Sequence, residues 1–115
     1  MRAQIPPLLS HICDPTQLAW EPFREGIEIA RILASECGGP AAAYLRYRPG
    51  ATLQRHRHVG WEYILILAGT QSDDFGIHAA GELLVHIPGS SHTVHSADGC
   101  IVLAIWEKPV VFDQE

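Results

Sequence analysis

The sequence predicts an all-β domain of the jelly-roll barrel or sandwich group, preceded by an irregular N-terminal arm. Three observations carry that expectation. Short runs alternate apolar and polar residues with a period of two, as half-buried strands do. Gly, Pro, Ser and Asp interrupt those runs at intervals of about eight to twelve residues, the rhythm of a doubled or closed sheet. Helical periodicity with caps is absent, apart from a turn or two around Asp14-Pro15-Thr16-Gln17-Leu18, where Asp14 is an N-cap candidate and Pro15 the first helical residue.

The elements follow in order. Residues 1–26 read as the arm, broken by Pro6, Pro7 and Pro22, with Trp20 packing on the body; residues 27–115 read as the barrel. Gly26–Leu33 alternates like a strand, and Cys37-Gly38-Gly39-Pro40 is a turn. Ala41–Tyr47 and Ala51–His58 are two strands around Pro49-Gly50. Val59-Gly60 breaks the pattern again. Trp61–Ala68 is the run richest in strand-favouring residues, and Gly69–Asp74 reads as a polar turn. Phe75–His78, Glu82–Ile87, His92–Ser96, Cys100–Trp106 and Val110–Phe112 complete a series of nine or ten short strands.

Composition narrows the function classes. Thirteen acids against eight bases give a net charge of −5, and the sparse series Arg46, Arg48, Arg55, Arg57 reads as solvent-facing strand positions, so nucleic acid is not an expected partner. The most apolar stretch, Tyr63–Ala68, is far shorter than the roughly twenty residues that span a bilayer. The arm lacks the long apolar run of a secretory signal, so a cytoplasmic location and no membrane partner are expected. Cys13, Cys37 and Cys100 form no CxxC pair, which disfavours a disulfide framework and a zinc knuckle. Cys100 reads as a small buried hydrophobe.

The histidines carry the chemistry. His56 and His58 stand two apart on one strand, so their side chains share a face roughly 6 to 7 Å apart and can converge on one ion. A hairpin at Val59-Gly60 would fold Glu62 back beside them. His92, after the rigid Pro88–Ser91 bend, is the candidate for a ligand from a distant strand. Three nitrogens and a carboxylate suit zinc, iron, nickel, copper or manganese better than calcium or magnesium. His86 and His95 are candidates to touch the pocket, as hydrogen-bond partners of the metal-bound rings or as a base, against the reading that they are surface residues at strand ends. His11 and His78 read as ordinary surface residues.

These residues resemble a known family. Gly50, His56, His58, Glu62 and Gly69 stand at the spacing of the first cupin motif, and Gly81 through Pro88-Gly89-Ser90-Ser91-His92 is similar to the second as one branch carries it. That branch is the ChrR type, whose pieces stand here as His58-Val59-Gly60-Trp61-Glu62, Gly69-Thr70-Gln71-Ser72-Asp73, Ala80-Gly81, Pro88–Thr93 and Asp98-Gly99-Cys100. The resemblance covers Ile27–Trp106. It implies a cupin double-stranded β-helix whose His56, His58, Glu62 and His92 bind one divalent metal: zinc as in the ChrR anti-sigma factor, or ferrous iron as in similar acetylacetone-cleaving dioxygenase-like cupins. Ile87, Val94 and His95 depart from the branch's usual residues along the pocket lining.

Two functions follow as expectations. One is an enzyme acting on a small diketone or hydroxyketone, with Glu62 able to act as base; the other is a zinc-holding sensory or regulatory module. The helical zinc-binding domain that precedes the cupin in ChrR-type proteins has no counterpart before Gly26, so this chain alone is not expected to bind a sigma factor. A purely structural metal ranks third, because such sites favour cysteine-rich tetrahedra. The apolar arm residues Ile5, Leu8, Leu9 and Ile12 and the edge strands point to a homodimer.

Overall fold

The computed structural model describes residues 18–34 and 38–113. The cap at Asp14, the apolar arm residues, His11, Cys13 and Cys37 lie outside the described residues. Within them the chain is all β, with ten strands: β1 (Glu21–Arg24), β2 (Ile27–Leu33), β3 (Ala41–Tyr47), β4 (Ala51–Arg57), β5 (Glu62–Asp73), β6 (Gly76–Ala79), β7 (Leu83–His86), β8 (Ser91–Ser96), β9 (Cys100–Trp106) and β10 (Val111–Phe112). The strands run in the order β1-β2-β3-β9-β5-β8-β4-β10, with β6 and β7 both paired to β5, and every pairing is antiparallel. The sheet curls so that the apolar faces of its strands enclose Ile27, Ile29, Leu45, Tyr47, Leu53, Ile64, Ile66, Val94, Val102 and Phe112. Burial of one face per strand is what the period-two pattern requires.

Two segments differ from the sequence reading. The end of the arm is sheet: Glu21–Arg24 pairs with β2 through a tight turn at Glu25-Gly26, with Gly26 at φ 75° supplying the left-handed conformation. Arg46 stacks on Trp20 at 4.3 Å from the ring centroid and pairs with Glu28. Gly69–Asp74 is not a turn. The strand instead runs on to Asp73, because β5 bends from one wall of the barrel to the other: Glu62–Gly69 lies along β9, with a register shift between Ile66 and Ala68, and Ser72 pairs with His95 of β8. Gly69, at φ 77°, stands at the corner. Polar residues that read as a loop are thereby carried on a strand into the barrel.

β4 holds the irregularity that builds the site. Leu53 pairs with Val94 but His56 pairs with His92, so two residues of β4, Gln54 and Arg55, oppose one of β8, Thr93. That bulge at Gln54-Arg55 changes the phase of the strand. Ala51 and Leu53 point inward before it, and His56 and then His58 point inward after it.

Candidate metal centre

His56, His58, Glu62 and His92 come together inside the barrel, all buried, with one donor atom from each lying within 4.8 Å of the others. His56 and His92 are cross-strand partners. Glu62 arrives by a different route from the one the sequence implied. Val59–Trp61 is no hairpin between β4 and β5; it crosses from one wall to the other, clasped by Glu107, whose amide donates to the Trp61 carbonyl and whose carboxylate accepts the Trp61 amide. Glu62 then faces His58 across the interior, Oε1 to Nε2 at 3.1 Å.

The hydrogen bonds fix the tautomers of two rings. His56 Nδ1 lies 2.9 Å from the Gln54 carbonyl, which can only accept, so Nδ1 carries the proton and Nε2 is a bare lone pair. Ser90 Oγ donates to the Ile87 carbonyl and so accepts from His58 Nδ1 at 2.9 Å, leaving His58 Nε2 bare as well. Trp106 Nε1–H donates to Glu62 Oε2, which turns Oε1 inward. His58 Nε2 and His92 Nδ1 are buried without a hydrogen-bond partner. The bare His58 Nε2 facing Glu62 Oε1 with no proton between them is costly in a dry interior, and a divalent cation resolves it. The donors therefore fit the metal that their chemistry implies, and rings tied off at Nδ1 are how proteins aim metal-binding histidines.

Burial lowers the pKa values of His56, His86 and His92, with neighbouring histidines adding to the shift; His92 falls to about 4. Burial raises that of Glu62, but His58, with the charges of His86 and His56, outweighs it and holds the carboxyl below its usual range. At neutral pH His56, His86 and His92 are neutral imidazoles and Glu62 an ionised carboxylate, the forms that bind metal. A pH dependence follows. An unfolded histidine takes a proton near 6.5, whereas folded His92 resists until about 4, so the metal-free fold is fully stable above pH 6.5 and loses stability as the pH falls from there toward 4. The loss from His92 alone is roughly 3 kcal/mol, at about 1.4 kcal/mol per unit. Melting curves of chelator-treated protein between pH 7.5 and 4.5 check this, and a flat melting temperature would refute it.

Of the two further candidates, His86 is at the site and His95 is not. His86 pairs across the sheet with Glu62, its ring stacks on His58 at 4.7 Å, and its buried Nε2 is unpartnered 3.9 Å from Glu62 Oε1. His95 alternates with the inward His92, Val94 and Ser96 and therefore points outward, hydrogen-bonded to Thr52. His78 is no plain surface residue: it pairs with buried Asp73 at 3.0 Å. Asp73, Ser90 and Trp106 were missed as site residues. Asp73 and Ser90 both stood within the motifs quoted for the resemblance, and Trp106 is the cross-strand partner of Glu62. Burial raises the Cys100 thiol to about 11, so it is no nucleophile at neutral pH.

Space at the cluster is small. The interior cavity beside His56, Glu62 and His92 measures about 20 Å³, room for one water-sized group. Phe23, Trp106, Val110 and Phe112 line it and also line a larger neighbouring pocket of about 260 Å³, which adds Arg24, Ile29, Arg31, Ala41 and Pro109.

The model of the ChrR cupin-like domain matches residues 10–110. The chain belongs to the ChrR cupin-like family. No curated protein matches the sequence. Among solved structures, this cupin is similar to one of Rhodobacter sphaeroides SigE in complex with the anti-sigma ChrR, at 24% identity and TM-score 0.75, covering 87% of this chain and 56% of that one. It is also similar to an acetylacetone dioxygenase from Acinetobacter johnsonii, at 17% identity and TM-score 0.74, covering 81% and 70%. An RmlC-like cupin from Ralstonia eutropha matches at 18% identity and TM-score 0.76, covering 89% and 72%. Likeness at these identities establishes the cupin fold. Among the described residues no helix is long and apolar enough to cross a membrane.

Proposed function

We propose that this cupin is a metal-dependent enzyme of the dioxygenase type, acting on a small diketone or hydroxyketone, with one divalent ion held by His56, His58, Glu62 and His92. The observation that carries the reading is the pairing of cavities: a small interior space beside the ligands that shares four lining side chains with a mainly apolar pocket large enough for a small organic molecule. A purely structural zinc needs no such neighbour. When bound, the ion would supply Lewis-acid chemistry, or redox chemistry if it is iron.

The chain's own groups have definite roles in this reading. Phe23, Val110 and Phe112 keep water from the cluster. Trp106 anchors Glu62 by Oε2, so Oε1 meets the ligand or, once released from it, accepts the acidic proton between two carbonyls. His86, neutral and with an unpartnered buried Nε2 near Glu62, is a second group within reach of proton transfer. Protein loaded with ferrous iron is expected to consume oxygen on addition of a small diketone, and the Glu62→Gln variant to lose at least about a hundredfold of that rate. Tightly held zinc with no turnover by any loaded form would sink the enzyme and leave the second reading. That reading, a non-catalytic zinc-binding sensory or regulatory module, is supported by the family match and by the likeness to the ChrR chain.

The negative net charge argues against a nucleic-acid partner, and a cytoplasmic, small-molecule role accords with the sequence. For a homodimer, support comes from the outer face of β7, β5 and β9, where the adjacent side chains of Val85, Tyr63 and Ile105, with Leu83 beside them, are all exposed. Light scattering is expected to give a dimer mass for the wild type and a monomer mass for Val85→Glu; a monomeric wild type would refute the pairing.

A further inference from the structure

The three histidine ligands are not treated alike. His56 and His58 each have Nδ1 tied off, to the Gln54 carbonyl and to Ser90 Oγ. His92 has not. Its Nε2 meets His56 Nε2 at 3.0 Å, and because the proton of His56 sits on Nδ1, the hydrogen in this contact belongs to His92. A neutral His92 with its proton on Nε2 has a bare Nδ1. That atom is buried, has no hydrogen-bond partner, and faces Asp73 Oδ2 at 3.7 Å. A lone pair opposite a carboxylate accounts for the gap.

Asp73 is held in place for a partner it does not yet have. Its side chain is 3% exposed, and Oδ1 already accepts the Phe75 amide at 2.9 Å and His78 Nε2–H at 3.0 Å. His78 is braced in turn by Glu82, 3.5 Å from its Nδ1. Oδ2 is the oxygen left to face the His92 ring.

We propose that Asp73 is the positioning residue for His92: when the metal site is filled, Asp73 Oδ2 accepts a hydrogen bond from His92 Nδ1–H and fixes the tautomer that turns Nε2 to the ion. The proposal rests on the metal reading above. Filling the site requires His92 Nε2 to be bare, so its proton relocates through exchange to Nδ1, where the carboxylate turns from a repulsive neighbour into an acceptor. All three rings are then tied off at Nδ1. A carboxylate behind a metal-bound histidine both orients the ring and strengthens it as a donor.

The test needs zinc alone and the whole chain. Long-range nitrogen–proton NMR of wild-type protein is expected to show His92 protonated on Nε2 without zinc and on Nδ1 with zinc; zinc bound through Nδ1 would overturn the proposal. Chelator competition is expected to show zinc held about 10- to 100-fold more weakly by Asp73→Ala and Asp73→Asn, since the asparagine amide can donate to a bare Nδ1 and favours the metal-free tautomer. Wild-type affinity in both variants would overturn it while leaving the metal centre intact. A wild type that binds no zinc removes the metal reading and this proposal with it. The tautomer measurement uses no variant, so the outcome does not depend on whether the Asp73 variants fold.

Discussion

The His56→Ala, His58→Ala double variant is expected to purify without metal, whereas the wild type, prepared without an affinity tag, is expected to carry about one ion per chain. The geometry makes this loss complete. These two rings supply two of the three nitrogens, and both present a bare Nε2 because Gln54 and Ser90 take their other protons. Glu62 and His92 alone cannot hold the ion against a chelator. Stability separates this outcome from simple misfolding. A ligand at 1,000 times its dissociation constant stabilises the state it binds by about 4 kcal/mol. Zinc is therefore expected to raise the melting temperature of the wild type by about 10 °C or more and that of the double variant by nothing measurable. Without metal the two should melt within a few degrees, because removing the crowded rings and the unpartnered His58 Nε2 offsets much of the packing lost. Elemental analysis with melts in and out of zinc is the measurement. No metal in either protein would leave a barrel whose histidines line a metal-free ligand pocket.

Gly69→Ala is expected to cost at least about 3 kcal/mol, and to lower the melting temperature by more than about 10 °C. The backbone there is left-handed at φ 77°, which costs an L-residue roughly 1–2 kcal/mol. Space adds the rest. A Cβ at that position would stand 2.1 Å from the Gly99 carbonyl oxygen and 2.9 Å from the Cys100 Cα, both backbone atoms that cannot swing aside. Relief would require opening the β5–β9 pairing at the corner where β5 turns toward β8. Because Asp73 lies farther along the same strand and Glu62 before it, the variant is expected to weaken zinc binding as well as the fold. Gly50→Ala is the control: its φ of 85° is similar, but nothing lies within 4 Å of the added carbon, so only the conformational penalty remains. Equal losses from the two variants would refute the packing argument.

Much of this molecule was legible in its residues. Alternation and punctuation located β2, β3, β4 and β9 nearly to the residue, since each begins directly after a Gly or Pro. The four residues of the candidate cluster were legible too, because imidazole and carboxylate at cupin spacing have few other uses. Less visible was anything set by the corner at Gly69. Thr70, Gln71, Ser72 and Asp73 carry turn-like side chains, and only their pairing with β6 and β8 makes them a strand. Propensity yields to tertiary pairing in such a segment. β1 was hidden for a similar reason: Pro22 suggested an arm, yet an edge strand tolerates a proline.

The sequence by itself determined the strand series and which four residues form the candidate metal cluster. It could not determine where the donors point. Ala51 and Leu53 set an inward phase on β4 that, carried on unbroken, would turn His56 and His58 to solvent and Arg55 and Arg57 to the core. The bulge opposite β8 reverses that phase, and Gln54 within it supplies the carbonyl that fixes His56. Tertiary structure likewise decided that Glu62 crosses the barrel instead of folding back, that His86 enters the cluster while His95 leaves it, and that Asp73 stands behind His92. The physical reason is common to all four. A strand's period fixes which residues share a face, but only its partners and its irregularities fix which face is inside.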